Sequence, residues 1–587
     1  MYTLGINAAF HDCSACLVDD GVVIAAAEEE RFTRIKHGKR PLPFTVWQLP
    51  FNAIASCLRT AGLTMRDVAH VAYAYDPALQ LGELAGKDSI ALPLEPSARP
   101  SDWASPWEPL ALSYVVNAPR QLADGAPHHL SAWFEGGAQG PAYQWHFVEH
   151  HLSHEASAYL AAPFDACAVL VMDGRGEQAC TSYGEWCDGR YRRIAQVDYP
   201  HSLGLLYEDV TSHLGFLRSS DEYKVMALAS FGAPSYAAAF RELVQYRGEG
   251  RYEVLRADWS AMLGPKRARG GPLAPRHADI ARSLQLTLED TVLQMAAWLH
   301  ERTGMRQLAM AGGVALNCVM NARLRDEGRF VDIWVQPAAG DAGTALGAAL
   351  WVDAQQRADP GSSPGQGPRR WRMEHAFLGH EYAEDEVEQL LREAKLAYRR
   401  PPDIVRETAR LLAENKVIGW FQGRMEFGPR ALGARSILAS PIDPSMQERL
   451  NRIKDREDFR PVAPVVLEEA AADWFEGAVR SPFMLFVNRV RPDKADRIPA
   501  VRHVDGTARI QTINRTQHGA YYDLVRAFGE LTGVPVLVNT SFNTRGEPVV
   551  CTPRDAVESF CTTALDVLAI GPFLLEKHGV AAGREAP

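Results

Sequence analysis

Several absences narrow the class of this chain. No apolar run approaches the roughly 18 residues that would span a bilayer, so no membrane partner is expected. The opening residues, MYTLGINAAFHD, show no basic region followed by an apolar stretch, so a secretory signal is not expected and a cytoplasmic location is. Basic residues are in deficit. The 62 Lys+Arg against 72 Asp+Glu leave a net charge of −10, which argues against a generally basic nucleic-acid binder. Cysteine is sparse, odd in number and scattered, nine in all, so a disulfide framework is not expected and a reducing compartment fits. Cys13 and Cys16 form a C-x-x-C with no second pair at zinc-ribbon spacing, and their strand-like run favours core packing over metal or redox use. No Walker A phosphate loop is present.

What is present is ordinary soluble composition at unusual length. With 47% apolar and 23% charged residues over 587 positions, the chain has material for more than one domain. The first strands read Thr3–Ile6, Ser14–Val18 and Val22–Ala27, with Asp19-Asp20-Gly21 as a tight turn. The pattern returns as Ala166–Met172, an acidic Gly-rich loop from Asp173, Gln178–Trp186, an Asp188-Gly189 turn and Arg190–Val197. A repeat of strand, acidic loop, strand, Asp-Gly turn and strand is what a duplicated actin/hexokinase-like fold shows, although any two antiparallel meanders look alike.

Ala281–Gly304 carries apolar residues at helical spacing. A strand at Leu308–Met310 then runs into Gly312, Gly313 and Asn317, where bare backbone N–H groups suit phosphate. A further Gly-rich run from Gly340 to Gly347 opens another helix. RADPGSSPGQGPRR, Arg357–Arg370, reads as the interdomain linker. Gly264–Arg276 reads as a mobile basic surface loop, and Pro77–Leu122 as an insertion on the first domain. Past the linker, strand-like Val417–Phe421 and Val534–Val538 and helix-like Asp403–Asn415 and Pro553–Thr563 make a second α/β domain.

The densest candidate chemistry is EHHLSHEASAYL. On a helix, His150 and His154 share a face and can offer two imidazoles to one ion; His151 with His154 is also geometrically possible. Asp173 and Asp341, each in a Gly-flanked loop, are candidate partners. The competing reading is a helix N-terminus with incidental surface histidines; the spacing favours the metal. His11 and Asp12 lie in the first inter-strand loop, and Lys36 and His37 end the charged run from Glu28. A Lys and a His near a cleft can bind phosphate or activate a hydroxyl. The same run also fits a solvated charged face, and the residues alone favour that.

In the second domain, eight basic residues stand between Arg424 and Arg460, among them Arg430, Lys454 and Arg456, in an otherwise acidic chain. Guanidinium groups bind phosphate or carboxylate bidentately. His503, Arg509, Asn539, Ser541 and Asn543 add polar side chains that complete such a pocket. Surface salt bridges are the plainer alternative.

Taken together, these motifs resemble the antibiotic and nodulation-factor O-carbamoyltransferase family, whose familiar members are the tobramycin, cephem and nodulation-factor carbamoyltransferases. The resemblance runs end to end. It covers LGINAAFHDCSACLVDDG, EEERFTRIKHG, HHLSHEASAYLAAPF, DGRGE, DEYKVMALASFG, AGGVALNCVMN and GDAGTALGAA. It continues through GRMEFGPRALGARSILASP, NRIKDREDFRPVAPVV, HVDGTARIQT and VPVLVNTSFNTRGEPVV.

The resemblance implies an α/β protein of two modules. Residues 1–356 would be a duplicated actin-like (ASKHA) domain, similar to the enzyme that makes threonylcarbamoyladenosine on tRNA. Residues 357–372 would be a linker, and 373–587 a YrdC-like domain. It implies an Fe²⁺-type or other divalent metal on His150, His154, Asp173 and Asp341. It implies carbamoyl adenylate made from carbamoyl phosphate and ATP with Mg²⁺ in the second module, at Arg430, Lys454, Arg456, Arg460, Arg509 and Ser541. The carbamoyl group would then pass to a hydroxyl of a small-molecule acceptor, with His11 or Lys36 assisting deprotonation. Glu222 and Lys224 serve either acceptor binding or packing. No nucleic-acid partner is expected, and the protein is expected as a monomer or homodimer.

Other readings remain. A sugar-kinase-like phosphotransferase would consume ATP without carbamoyl phosphate. A tRNA-modifying fusion is disfavoured by the net charge of −10. A non-catalytic scaffold would release no AMP.

Overall fold

The computed structural model describes residues 1–38, 49–79, 108–124, 143–358, 369–477, 480–544 and 546–577. The chain divides into two compact units. Unit 1 is Met1–Glu374 with Leu378–His380 and Phe427–Pro429; unit 2 is His375–Phe377, Glu381–Glu426 and Arg430–Pro587. Residues 359–368 of the expected linker lie outside the described residues, as do 80–107 of the expected insertion.

Unit 1 holds two five-stranded sheets of the same design. The first comprises β1 (Tyr2–Asn7), β2 (Ser14–Asp19), β3 (Val22–Glu28), β4 (Val68–Tyr73) and β5 (Gln144–Phe147), in the order β3-β2-β1-β4-β5. The second contains β6 (Cys167–Met172), β7 (Ala179–Cys187) and β8 (Arg190–Asp198). After a small hairpin, β9 (Val244–Gly248) and β10 (Arg251–Val254), it is completed by β11 (Gln307–Ala311) and β12 (Asp332–Val335). Its order, β8-β7-β6-β11-β12, repeats the first. In each sheet an antiparallel meander of three strands is extended from its first strand by two parallel ones.

Turn chemistry makes the meanders. Asp20 and Gly21 have φ of 46° and 87°, and Asp188 and Gly189 have 51° and 71°. Two successive left-handed residues form the two-residue turn whose twist matches that of antiparallel strands. β6, the central strand of the second sheet, is apolar throughout because both faces are covered. β6 is buried at every position.

The long helix spans Pro275–Thr303, six residues earlier than its apolar periodicity suggests. Pro275 pre-sets the first turn, and His277 Nδ1 accepts the Ala274 N–H at 2.9 Å, so the start is set by capping rather than burial. The loop from Gly264 is fastened by its own arginines. Arg267 donates to Leu214 O and Gly271 O, and Arg276 to Leu263 O and Pro265 O. Cys13 and Cys16 are both buried, and three residues apart along extended chain they project to opposite faces, which removes the C-x-x-C as a ligand pair.

Unit 2 is built on a seven-stranded mixed sheet of β13 (Ile418–Phe421), β14 (Arg435–Ala439), β15 (Ala463–Leu467), β18 (Gln511–Ile513), β19 (Val536–Ser541), β20 (Val567–Ile570) and β21 (Phe573–Glu576). Its order is β18-β15-β19-β14-β13-β20-β21. β16 (Val487–Arg489) and β17 (Thr507–Arg509) pair separately. Helices Ile404–Ala413 and Gly519–Thr532 join the sheet in one apolar core through Leu411, Leu412, Leu524 and Phe528. Among the described residues, no helix is long and apolar enough to cross a membrane.

Candidate functional site

Four chain segments deliver one cluster in unit 1. Helix His150–Tyr159 supplies His150 and His154, one turn apart. The loop after β6 supplies Asp173, and the N-terminus of helix Ala342–Arg357 supplies Asp341. One donor atom from each of the four lies within 4.8 Å of every other. His150 Nε2 is 3.6 Å from both Asp173 Oδ2 and Asp341 Oδ1, and His154 Nε2 is 3.8 and 3.7 Å from the same atoms. These separations are long for hydrogen bonds. They fit ligands about 2.1 Å from a shared ion, whose tetrahedral edges are about 3.4 Å.

Burial sharpens the case. His150, His151 and His154 are each 0% exposed, so the incidental-surface reading fails. His150 Nε2, both ring nitrogens of His154 and Asp341 Oδ1 are buried without a hydrogen-bond partner. Orphaned polar atoms at this depth are costly unless an ion takes them. Two imidazoles and two carboxylates suit a divalent transition metal. The outer contacts fix ligand orientation. His150 Nδ1 is 3.3 Å from Ala74 O, and Asp173 Oδ1 accepts the Gly313 N–H at 2.8 Å. Burial pushes the Asp341 carboxyl up, but His11 and His150 more than offset it and hold it well below the usual range. His151 stands apart, 3.2 Å from Ser182 Oγ. The helix therefore presents His150 with His154 rather than His151 with His154.

Sequence reasoning missed Glu177. Its carboxylate accepts from His150 N at 3.0 and 3.1 Å and from Asp76 N at 2.7 Å, closing the N-terminus of the histidine helix. Burial pushes its carboxyl up to about 7, against the pull of His150 and the backbone N–H groups. Its signal was the acid of DGRGE directly after the Asp173 loop.

His11 reaches the cluster's edge, with Nε2 3.9 Å from Asp341 Oδ2. Lys36 lies in the turn Lys36–Gly38 with Nζ 5.5 Å from the centroid of the Tyr223 ring. Lys224 pairs with Asp221 at 3.2 Å. Gly312, Gly313 and Asn317 have internal work. A Cβ on Gly312, at φ +88°, would stand 2.1 Å from Met172 O. The Gly313 N–H serves Asp173. Asn317 caps helix Cys318–Glu327 through the Met320 N–H and exchanges amide hydrogen bonds with Gln285.

In unit 2 the structure gathers Lys454, Ser541 and Asn543. Lys454, 5% exposed, follows helix Met446–Ile453. Its ammonium donates to Asn543 Oδ1 at 2.7 Å, Asn543 O at 3.0 Å, Ser541 Oγ at 3.3 Å and the Ser541 carbonyl. Ser541 ends β19, and its hydroxyl donates to Asn543 Oδ1 at 2.8 Å. Asn539, on the same strand, donates to Gln511 Oε1 at 2.7 Å and to Ala431 O. Arg456 Nε donates to Asn451 Oδ1 at 2.6 Å, and Arg460 pairs with Glu457 at 3.6 Å. Arg509 ends β17. His503 Nδ1 lies 3.3 Å from Thr507 Oγ1, and burial chiefly lowers its imidazole to about 4. Arg430 is half-buried just past the Phe427–Pro429 loop.

Comparison with known proteins gives this geometry its class. The Carbamoyltransferase N-terminus family matches residues 2–80 and 142–350, and the Carbamoyltransferase C-terminus family matches 409–577. A Synechocystis protein, "Uncharacterized protein sll1178", is 39% identical over 98% of this chain and 97% of its own. The Sinorhizobium fredii "Nodulation protein NolNO" is 37% identical over 97% of this chain and 80% of its own. Nodulation protein U of Bradyrhizobium diazoefficiens is 30% identical over 91% of each chain. Among solved structures, full-length HypF in its phosphate- and nucleotide-bound form covers 61% of this chain and 56% of its own at 13% identity, with a TM-score of 0.33, too slight a likeness to carry weight. The chain belongs to the carbamoyltransferase family. It is an enzyme, and the group it transfers is carbamoyl.

Proposed function

We propose that this carbamoyltransferase is ATP-dependent and divides its reaction between its two units. Unit 1 is read as the duplicated actin-like transfer domain (residues 1–356) and unit 2 as the YrdC-like domain that makes carbamoyl adenylate (residues 373–587), joined by 357–372. The observation that carries the reading is the presence of two chemically different sites. One is the buried His150, His154, Asp173, Asp341 set; the other is the buried Lys454 ammonium ringed by oxygens of Ser541 and Asn543. The first suits a Lewis acid; the second places a buried positive charge within a segment, 424–460, that carries eight basic residues, and positive charge suits anions.

In unit 2, water displaces phosphate from carbamoyl phosphate to leave carbamate, and a carbamate oxygen then attacks the α-phosphorus of ATP as pyrophosphate leaves. These are polyanions. Lys454, Arg430, Arg456, Arg460 and Arg509 bind and align them, with Mg²⁺ sharing the charge. His503, Asn539, Ser541 and Asn543 hold nucleotide and carbamoyl oxygens. In unit 1, Gly312, Gly313 and Asn317 bound the nucleotide side of the cleft. His150, His154, Asp173 and Asp341 hold a divalent metal, an iron-type ion being the favoured occupant, which polarises the carbamoyl carbonyl when bound. The acceptor hydroxyl gives its proton to His11 or Lys36, its oxygen bonds to the carbamoyl carbon, and AMP leaves. The acceptor is a small-molecule alcohol rather than nucleic acid, in keeping with the net charge of −10. The protein acts in the cytoplasm as a monomer or homodimer.

The test has two steps. AMP release is measured with ATP alone, and with ATP plus carbamoyl phosphate. Candidate alcohols are then screened by mass for the gain of one carbamoyl group. Release that depends on carbamoyl phosphate and a carbamoylated product support the reading. ADP formation without carbamoyl phosphate overturns it in favour of a kinase.

A further inference from the structure

The loop between β1 and β2 meets the turn Lys36–Gly38 at Asp12. Asp12 has φ 51° and His37 has φ 59°. Left-handed backbone costs such residues on the order of 1–2 kcal/mol, so surrounding contacts must hold it. Asn7 Nδ2 does so from one side, donating to His11 O at 2.9 Å and Asp12 O at 3.1 Å. Glu30 does so from the other, accepting the His37 N–H at 2.8 Å. What this strained backbone maintains is a line of side chains. His37 Nδ1 is 2.9 Å from Asp12 Oδ1, and Asp12 Oδ2 is 2.9 Å from His11 Nδ1. His11 Nε2 then stands 3.9 Å from Asp341 Oδ2.

The carboxylate dictates the tautomers. Asp12 stands within hydrogen-bond distance of both Nδ1 atoms, and an aspartate is ionised at neutral pH. An ionised carboxylate only accepts, so both Nδ1 atoms donate to it. The His11 lone pair is thereby left on Nε2, at the Asp341 edge of the metal-ligand cluster. Asp12, His37 and Glu30 lie close enough to hold an ion themselves, but the atoms that face one another are already engaged in these hydrogen bonds. His37 Nε2 is buried without a hydrogen-bond partner, so the ring's contribution to the line is its bond to Asp12.

We propose that Asp12, braced by His37, is a positioning residue for carbamoyl transfer: it fixes the His11 ring with Nε2 presented to the reacting hydroxyl beside the metal-ligand cluster. This rests on reading His11 as the group that takes the acceptor proton. In that step the hydroxyl oxygen bonds to the carbamoyl carbon, the carbon–oxygen bond to AMP breaks, AMP leaves with the electron pair, and the proton passes to His11 Nε2. The same logic lets an aspartate hold the correct imidazole tautomer in hydrolase triads.

Two substitutions isolate the hydrogen bonds from the backbone. Asparagine and glycine both tolerate left-handed φ, and only asparagine keeps a side-chain N–H near the Nδ1 position. The first readout is nitrogen-15 NMR of histidine-labelled enzyme, with His11 assigned by its loss in His11→Gln. The wild-type ring carries its proton on Nδ1, and Asp12→Asn moves it to Nε2. His37→Asn keeps the wild-type signature and His37→Gly loses it. The second readout separates half-reactions. Asp12→Asn lowers carbamate formation on the alcohol returned by the screen about 100-fold, the upper range for outer contacts of a metal site. Carbamoyl-phosphate-dependent ATP–pyrophosphate exchange and bound metal stay unchanged. His37→Gly falls about tenfold, and His37→Asn recovers most of it.

An unchanged His11 tautomer in Asp12→Asn, a His37→Asn no better than His37→Gly, or loss of the metal in Asp12→Asn overturns the proposal. A wild type without pyrophosphate exchange refutes the functional reading instead, and the NMR comparison still decides the positioning role.

Discussion

Gly347 packs so tightly on Ser153 that a Cβ there would stand 1.8 Å from the Ser153 carbonyl oxygen. The contact joins helix Ala342–Arg357, which begins beside Asp341, to helix His150–Tyr159, which carries both histidines. Gly5 plays a similar part where β1 meets the first of these helices, with Ala345 O 1.9 Å from where its Cβ would be. Small residues here set the spacing of the ligand-bearing elements. Gly347→Ala must push the helices apart. It is expected to cost about 1–3 kcal/mol, as overpacking does, and to weaken metal binding. Denaturant midpoints and metal stoichiometry check both; unchanged stability and unchanged metal content would show that the contact sets nothing.

His154→Ala removes one of four donors and leaves Asp341 Oδ1 with fewer partners. Metal content is expected to drop, and carbamate formation to be blocked. Carbamoyl-phosphate-dependent pyrophosphate exchange should continue, because the residues assigned to it lie in unit 2. Equal loss of both half-reactions would sink the division of labour between the units.

Lys454 invites the reciprocal experiment. Its ammonium supplies hydrogen bonds to Ser541 and Asn543 at the end of β19. Lys454→Met should abolish pyrophosphate exchange. It should also destabilise the protein by about 1–3 kcal/mol, the penalty for buried acceptors left unsatisfied. Arg460→Ala, which removes a guanidinium 21% exposed that pairs with Glu457 at 3.6 Å, should abolish exchange with less effect on stability. Exchange at the wild-type rate in either variant counts against an adenylate site here. Metal content should be wild type in both.

Much of this was legible from local chemistry. Asp-Gly turns announced the hairpins, because few other sequences accept two left-handed residues in succession. The His150/His154 spacing announced a shared helix face. The N-terminus of the long helix was not legible from periodicity. Pro275 and His277 start it through capping, in a first turn whose apolar pattern is weak. The setting of Lys454 was hidden for another reason. Its acceptors include the backbone carbonyls of residues 541 and 543, which every residue carries and no sequence pattern marks. Gly312 and Gly313 read as a phosphate cradle, and their structural tasks were not legible beside that reading. The fold uses one for close approach to Met172 and the other's N–H for Asp173, a long-range pairing that spacing does not encode.

Unit 2 carries a half-buried histidine whose protonation makes stability depend on pH. His518 sits before helix Gly519–Thr532, and its Nδ1 accepts the Tyr521 N–H at 3.3 Å as the N-cap. An accepting Nδ1 must be unprotonated. Burial chiefly lowers the imidazole from 6.5 to about 4, with Arg435 adding repulsion against the pull of Glu426. The sign follows from linkage. Between pH 6.5 and 4 the unfolded chain binds a proton at this ring that the folded chain does not, so stability falls as pH falls through that window and levels off below it. By pH 5 the loss from this one residue is about 1–2 kcal/mol, allowing for a ring that is only half-buried by surface area. Asparagine is a strong N-cap that does not titrate. His518→Asn should therefore match the wild type near pH 7 and lose less stability between pH 7 and 5, measured by urea unfolding at both. His503, also lowered to about 4, contributes equally to both proteins and cancels in the comparison. Parallel pH profiles would mean that His518 keeps its proton count on unfolding and that the cap is not the titrating contact.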